Sequence, residues 1–193
     1  MNPGLGCPDV ANPRTISEIR REKRRAHPGR EEFESKTESD HVKQRGFLME
    51  EIQIRVCSDE DLDLLAVLNN QLIEDEQHDN KMNVEQLRER MNGFINTDYK
   101  AYLFEKGSKV IGYALVNHTR KPLYLRQFFI CRDVRRQGYG KTTFNKLLEL
   151  LKTEIIDIEV MSWNGRGIGF WRSLGFKDRS IYMRFDKNPE KIR

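Results

Sequence analysis

Two periodicities of apolar residues run along the chain from residue 49 onward, and they predict its elements in order. "IQIRV" (52–56) alternates apolar and polar side chains and reads as a short strand. Ser58 then caps a helix whose first turn is acidic (Asp59, Glu60, Asp61) and whose Leu64, Leu65, Leu68 and Leu72 recur at helical spacing. Asn83, with Gln86 three residues on, has the form of a capping box, and Val84, Leu87, Met91 and Phe94 supply the stripe of a second helix. The period then changes. "YKAYLFE" (99–105) alternates up to a Gly107-Ser108 turn, "KVIGYALVN" (109–117) is continuously apolar as a central strand is, and "LYLRQFFI" (123–130) follows a Lys121-Pro122 turn. Phe144, Leu147, Leu148 and Leu151 mark a third helix, "IIDIEVMSW" (155–163) a further buried strand, and "NGRGIGFWRSLGF" (164–176) a short helix stopped by Gly175. "SIYMRF" (180–185) closes the sheet. The order β-α-α-β-β-β-α-β-α-β predicts one mixed α/β domain over 49–193, with no internal repeat.

Residues 1–48 follow neither period. "MNPGLGCPDVANPR" is rich in turn formers, and "SEIRREKRRAHPGREEFESKTESDH" is almost wholly charged or polar. A segment so poor in apolar residues cannot offset the entropy of ordering itself, so a disordered extension is expected there. "RREKRR" has the composition of a localisation signal or nucleic-acid arm, but the extension holds 10 Lys and Arg against 8 Asp and Glu and adds only +2. It reads first as a solvated charged segment. The whole chain carries a net charge of +4, far from the dense cationic stripe of a non-specific nucleic-acid binder. No run of about eighteen apolar residues points to a membrane span, and no apolar signal-peptide core opens the sequence. Cys7, Cys57 and Cys131 are too scattered for a metal cluster or a disulfide framework, which fits a cytoplasmic protein with no bound metal.

The stretch "RRQGYGK" (135–141) stands where a strand turns into a helix. Two glycines let the backbone turn sharply and a ligand come close. The N–H groups of such a loop and of the first helical turn converge on one point, where the helix dipole adds positive charge and Arg135, Arg136 and Lys141 surround it. The occupant implied is a pyrophosphate. A Walker A loop fails because its first glycine falls on Arg135, and a dinucleotide fingerprint fails because its third falls on Thr143. The pattern [QR]-x-x-G-x-[GA] fits throughout, as Arg135-Arg136-Gln137-Gly138-Tyr139-Gly140.

A second segment extends that match. "NGRGIGFWRSLGF" resembles N-x-x-A-x-x-[FL]-Y-x-x-x-G-F, and with the loop upstream the chain over roughly 50–186 resembles the GNAT superfamily of acetyl-CoA-dependent N-acetyltransferases. That resemblance implies a mostly antiparallel sheet flanked by helices, with acetyl-CoA as acyl donor. Loop amides of Arg136, Gln137, Gly138, Tyr139, Gly140 and Lys141, next to Arg135, would hold the coenzyme's pyrophosphate. The backbone of Phe128, Phe129 and Ile130 would pair with the pantetheine arm like an added strand. Asn164 would hydrogen-bond the cofactor further along. The strands ending near Ile130 and Trp163 would splay around the thioester, with a backbone N–H near Ile130 serving the oxyanion. The acceptor implied is an amine of a small molecule or peptide, attacking directly in a ternary complex, and homodimers are common in the superfamily.

One position departs from the pattern. Where many members carry a tyrosine that protonates the departing sulfur, this chain has Trp171, whose indole N–H is a very poor acid. Either the enzyme works without that acid, helped by the low pKa of a thiol or by Tyr139, Tyr182 or water, or the domain binds acyl-CoA without turnover, as a sensor. Glu159 is the candidate base, and is equally readable as a solvent-facing charge. Glu74, Asp75, Glu76 and His78 of "EDEQH" end the first helix, where they either recruit a cationic amine or form a solvated helix end. His118 reads as a strand-end surface residue, and Cys131 as a small apolar filler.

Overall fold

The computed structural model describes residues 51–185 and 187. The expectations placed on residues 1–48 lie outside the described residues. Two compact units divide the chain, the first ending at Glu159 and the second beginning at Val160.

The first unit is built on a five-stranded sheet in the order β1-β2-β3-β4-β5. Its strands are β1 (Ile52–Val56), β2 (Tyr99–Lys106), β3 (Lys109–Asn117), β4 (Leu123–Ile130) and β5 (Ile156–Ile158). The first four pair antiparallel and β5 joins β4 in parallel. Three helices accompany them: α1 (Leu62–Glu76), α2 (Val84–Ile95) and α3 (Tyr139–Leu151). This is the mixed α/β architecture, mostly antiparallel with flanking helices, that the periodicities predict.

Local chemistry explains the helix starts. Asn83 Oδ1 accepts from the Gln86 N–H at 2.9 Å, and Gln86 Oε1 accepts from the Asn83 N–H at 3.0 Å. Each partner thereby satisfies a donor that the helix end leaves open. The acidic turn after Ser58 forms a 3₁₀ turn (Asp59–Asp61) ahead of α1 rather than the first turn of α1 itself. The reason is Asp61, whose carboxylate is gripped by both terminal nitrogens of Arg55 at 2.7 Å and by the Ser58 N–H at 2.9 Å.

Leu65, Leu68 and Leu72 of α1 and Leu87 and Met91 of α2 are buried, as are Leu103, Phe104, Ile111, Tyr113, Leu115 and Phe129 on the sheet. Each fully buried aliphatic side chain contributes on the order of 2 kcal/mol. On the opposite side of β4, Phe128 meets Phe144 of α3 edge-on, with ring centroids 6.1 Å apart. β3 reaches β4 closely: a Cβ on Gly112 would lie 2.1 Å from the Phe129 carbonyl oxygen, so only glycine fits there.

Two strand expectations are corrected. The strand expected over 155–163 is limited to Ile156–Ile158, because its ladder with β4 ends at Leu125↔Ile158. The closing strand expected over 180–185 does not form: Ile181, Tyr182, Met183 and Phe185 are each more than four-fifths exposed, with no ladder assigned to them. An apolar run states only what a strand could bury, and a strand exists only where a neighbouring edge completes its hydrogen bonds. The second unit is described by α4 (Gly165–Ser173) and the extended residues after it.

Candidate functional site

The glycine loop takes the shape its sequence requires. After a 3₁₀ turn (Arg132–Val134), Arg136 has a φ of +65° and Gly138 a φ of +84°, and α3 starts at Tyr139. Left-handed residues on either side of Gln137, alternating with ordinary backbone, turn successive N–H groups toward one side, the geometry of an anion nest. The first helical bond runs from the Thr142 N–H to the Gly138 carbonyl at 3.2 Å, so the N–H groups ahead of it are the ones a helix start leaves open. Arg136, Gln137, Gly138 and Lys141 are exposed, Tyr139 and Gly140 half-buried. The Lys106 ammonium donates to the Tyr139 hydroxyl at 2.6 Å and adds to the loop a cation from 33 residues earlier in the chain.

Arg135 turns the other way. Its Nε–H donates to the Ile130 carbonyl at 2.7 Å, its terminal nitrogen pairs with Asp75, and its guanidinium lies 5.1 Å from the centre of the Phe129 ring. Arg132 donates to Asp75 at 2.8 Å and to Glu74 at 2.9 Å. The end of α1 is thus tied to the loop by two arginines. Of the acidic group at 74–78, Glu74 and Asp75 are engaged structurally, and His78 Nδ1 accepts from the Asn80 N–H at 3.0 Å. Burial, with Asp75's charge second, holds the Glu76 carboxyl above the usual range.

β4 carries a bulge. Leu115 pairs with Gln127 but Val116 pairs with Leu125, so Arg126 is an extra residue on β4. The β5 ladder ends at that same level, at Leu125↔Ile158, while β4 runs on in register with β3 to Ile130. Beyond Leu125, β4 is therefore paired, among the described residues, on its β3 side alone. Glu159 follows β5 directly and is exposed; the Tyr124 hydroxyl pKa is pushed up to about 12 by burial and then by the charge of the Glu159 carboxylate.

Next to the bulge lies a polar group that sequence reasoning missed. Tyr113, fully buried, donates its hydroxyl proton to Gln127 Oε1 at 3.2 Å. Beside Tyr113 on α1 is Asn69, also fully buried. The signal was present: Asn69 is a polar residue four positions after Leu65 and three before Leu72, within an apolar stripe. Burial is the main influence on the Tyr113 hydroxyl and raises its pKa, while the charges of Glu76 and of Arg90 on α2 act on it in opposite directions. His118 is less exposed than a free strand-end histidine, since its Nε2 is 2.9 Å from the Tyr102 hydroxyl; burial, then Lys100, lowers its pKa. Cys131 is buried, with Sγ 3.8 Å from the Val110 carbonyl.

In the second unit, Asn164 is the N-cap of α4 and its Oδ1 accepts from the Gly167 N–H at 2.9 Å. Trp171 stacks edge-on against Phe170 and Phe176, with ring centroids 4.9 and 5.1 Å away. Tyr182 is exposed. Among the described residues no group of three or more His, Cys, Asp or Glu could hold a metal ion, and no helix is long and apolar enough to cross a membrane.

Comparison with known proteins bears on this geometry. The family model described as "Acetyltransferase (GNAT) family" matches residues 64–176. Among solved structures, a possible acetyltransferase from Clostridium difficile 630 is 17% identical, covers 70% of this chain and 97% of its own, and superposes with a TM-score of 0.58. The aminoglycoside N-acetyltransferase AAC(6')-Iy, solved in complex with CoA, is 14% identical, with 72% and 95% covered and a TM-score of 0.58. The PaiA N-acetyltransferase from Thermoplasma acidophilum, in complex with coenzyme A, is 20% identical, with 68% and 93% covered and a TM-score of 0.57. At these identities the three structures share the fold.

Proposed function

The chain belongs to the acetyltransferase (GNAT) family, and from that premise we propose that residues 49–193 form a cytoplasmic N-acetyltransferase that moves the acetyl group of acetyl-CoA to a primary amine. One observation carries the reading: the β4 bulge at Arg126, the end of the β5 ladder at Ile158 and the anion nest after Ile130 follow one another along a single strand. A nucleotide-tailed thioester needs that sequence of features. Its diphosphate takes the amides of Arg136 to Lys141, with Arg136 and Lys141 as counter-charges. Its pantetheine arm lies along β4 at Phe128, Phe129 and Ile130, beyond the reach of the β5 ladder. Its carbonyl then stands at the bulge, where an N–H of the irregular backbone serves the oxyanion.

The chemistry is direct. A neutral amine attacks the thioester carbon, the C–N bond forms, the tetrahedral intermediate collapses, and the C–S bond breaks to release coenzyme A thiolate. Glu159, whose charge acts on the neighbouring Tyr124 hydroxyl, takes the amine proton, through water where the distance demands it. Asn164 of the second motif caps α4 with its Oδ1. Trp171 supplies no proton, but a thiol pKa near ~8.5 makes the thiolate a tolerable leaving group.

Purified protein with acetyl-CoA and a panel of primary amines, followed by thiol release, tests the proposal; amine-dependent release is expected. Trp171 favours one other reading, an acyl-CoA sensor. Tight coenzyme A binding with no release across the panel would replace the enzyme with that sensor.

A further inference from the structure

Asn69 is 0% exposed, and neither Nδ2 nor Oδ1 has a hydrogen-bond partner among the described residues. The adjacent Tyr113 hydroxyl gives its proton to Gln127, so the Asn69 amide N–H group can reach only the Tyr113 oxygen and Oδ1 is left with no donor. An orphaned buried amide costs roughly 1–3 kcal/mol, and native structures pair nearly all such groups. The same face of α1 carries Leu65, Leu68 and Leu72, so a leucine at 69 would continue the stripe without that cost. The amide's neighbours lead to the bulge: Tyr113 beside it bonds Gln127, the residue following Arg126. Glu76, seven residues on along the same face, places a carboxyl at the outer end of the row.

We propose that Asn69 is the residue that holds the acceptor nitrogen, and that the acceptor is a primary amine on a slim, unbranched stem. This rests on the transferase reading above, because it puts the amide beside the thioester carbonyl. An attacking amine aims its lone pair at that carbon, so its N–H groups need acceptors, and Asn69 Oδ1 is an unengaged one. The stem is slim because the surroundings are tight. Leu65, Tyr113 and Leu115 are all 0% exposed, so a branched carbon next to the nitrogen would have to displace packed core side chains.

Melting temperature tests this without requiring turnover. The full chain, Asn69→Leu and Asn69→Ala are each heated alone, with coenzyme A, with about 20 mM 1-aminobutane and with about 20 mM tert-butylamine. Expected for the unsubstituted protein is a rise of about 2 °C with 1-aminobutane and none with tert-butylamine. Both variants lose that rise but keep the full coenzyme A shift, and Asn69→Leu alone melts higher than the unsubstituted protein. An equal 1-aminobutane shift in the variants, no such shift in the unsubstituted protein, or an equal shift with tert-butylamine overturns the proposal. So does Asn69→Leu melting lower, which would mean that the amide is satisfied by internal water and serves the fold. Absence of the coenzyme A shift in all three proteins would instead strike the transferase reading.

Discussion

Asp61 shows how one side chain sets a boundary. Burial alone would raise its pKa, but the Arg55 guanidinium and the Ser58 N–H outweigh burial and hold it below the usual carboxylate value. A depressed folded-state pKa stabilises the protein above the unfolded value near ~3.9, and that contribution is lost as pH falls through the lower folded value. Asp61→Asn is therefore expected to lose about 1–2 kcal/mol at pH 7 in urea unfolding, the low range reflecting an Arg55 that is partly exposed. The gap between variant and parent should close in acid; a constant gap would contradict the assigned cause. Trp171 poses a different question at the same scale. If sulfur protonation limits turnover, Trp171→Tyr raises kcat by about tenfold or more in the thiol-release assay, within the range of general acid help. An unchanged kcat would mean that the thiolate leaves unaided.

At the scale of elements, the tie between α1 and the loop carries the weight. Arg132 and Arg135 converge on Asp75 and brace the turn from β4 into α3. Asp75→Ala removes the partner the two arginines share and is expected to weaken coenzyme A binding by about tenfold by calorimetry, with the circular dichroism of the fold kept. Unaltered affinity would mean that the loop holds its shape alone. This tie also marks what the sequence could not disclose. β1 to β4, the Asn83–Gln86 cap and the glycine loop depend on neighbours within a few residues, and their spacing shows them. Asp75 and Arg132 are 57 residues apart, and nothing in "EDEQH" says which of its acids such a partner will claim. The Arg126 bulge is equally silent in "LYLRQFFI", because it is a mismatch between two strands and belongs to neither alone. The segment 180–185 looked like a strand for the complementary reason: its apolar residues were visible, its lack of a pairing edge was not.

Over the whole molecule, the two halves of the family pattern fall in different units, Arg135–Gly140 in the first and Asn164–Phe176 in the second. The net charge of +4 supplies no strong field for nucleic acid, so recognition rests on local geometry. The charged extension is proposed to be dispensable, and a chain of residues 49–193 is expected to bind coenzyme A as tightly as the full chain; a loss of affinity would assign the extension a part in binding. The most direct test remains at the loop. Gly138 has a φ of +84°, where a β-branched side chain is strained and would project toward the approaching diphosphate. Calorimetric titration of coenzyme A into the unsubstituted protein and Gly138→Val decides it. Saturable binding that the substitution weakens at least about tenfold is the predicted result; equal affinity in the two proteins, or no binding to either, would contradict it.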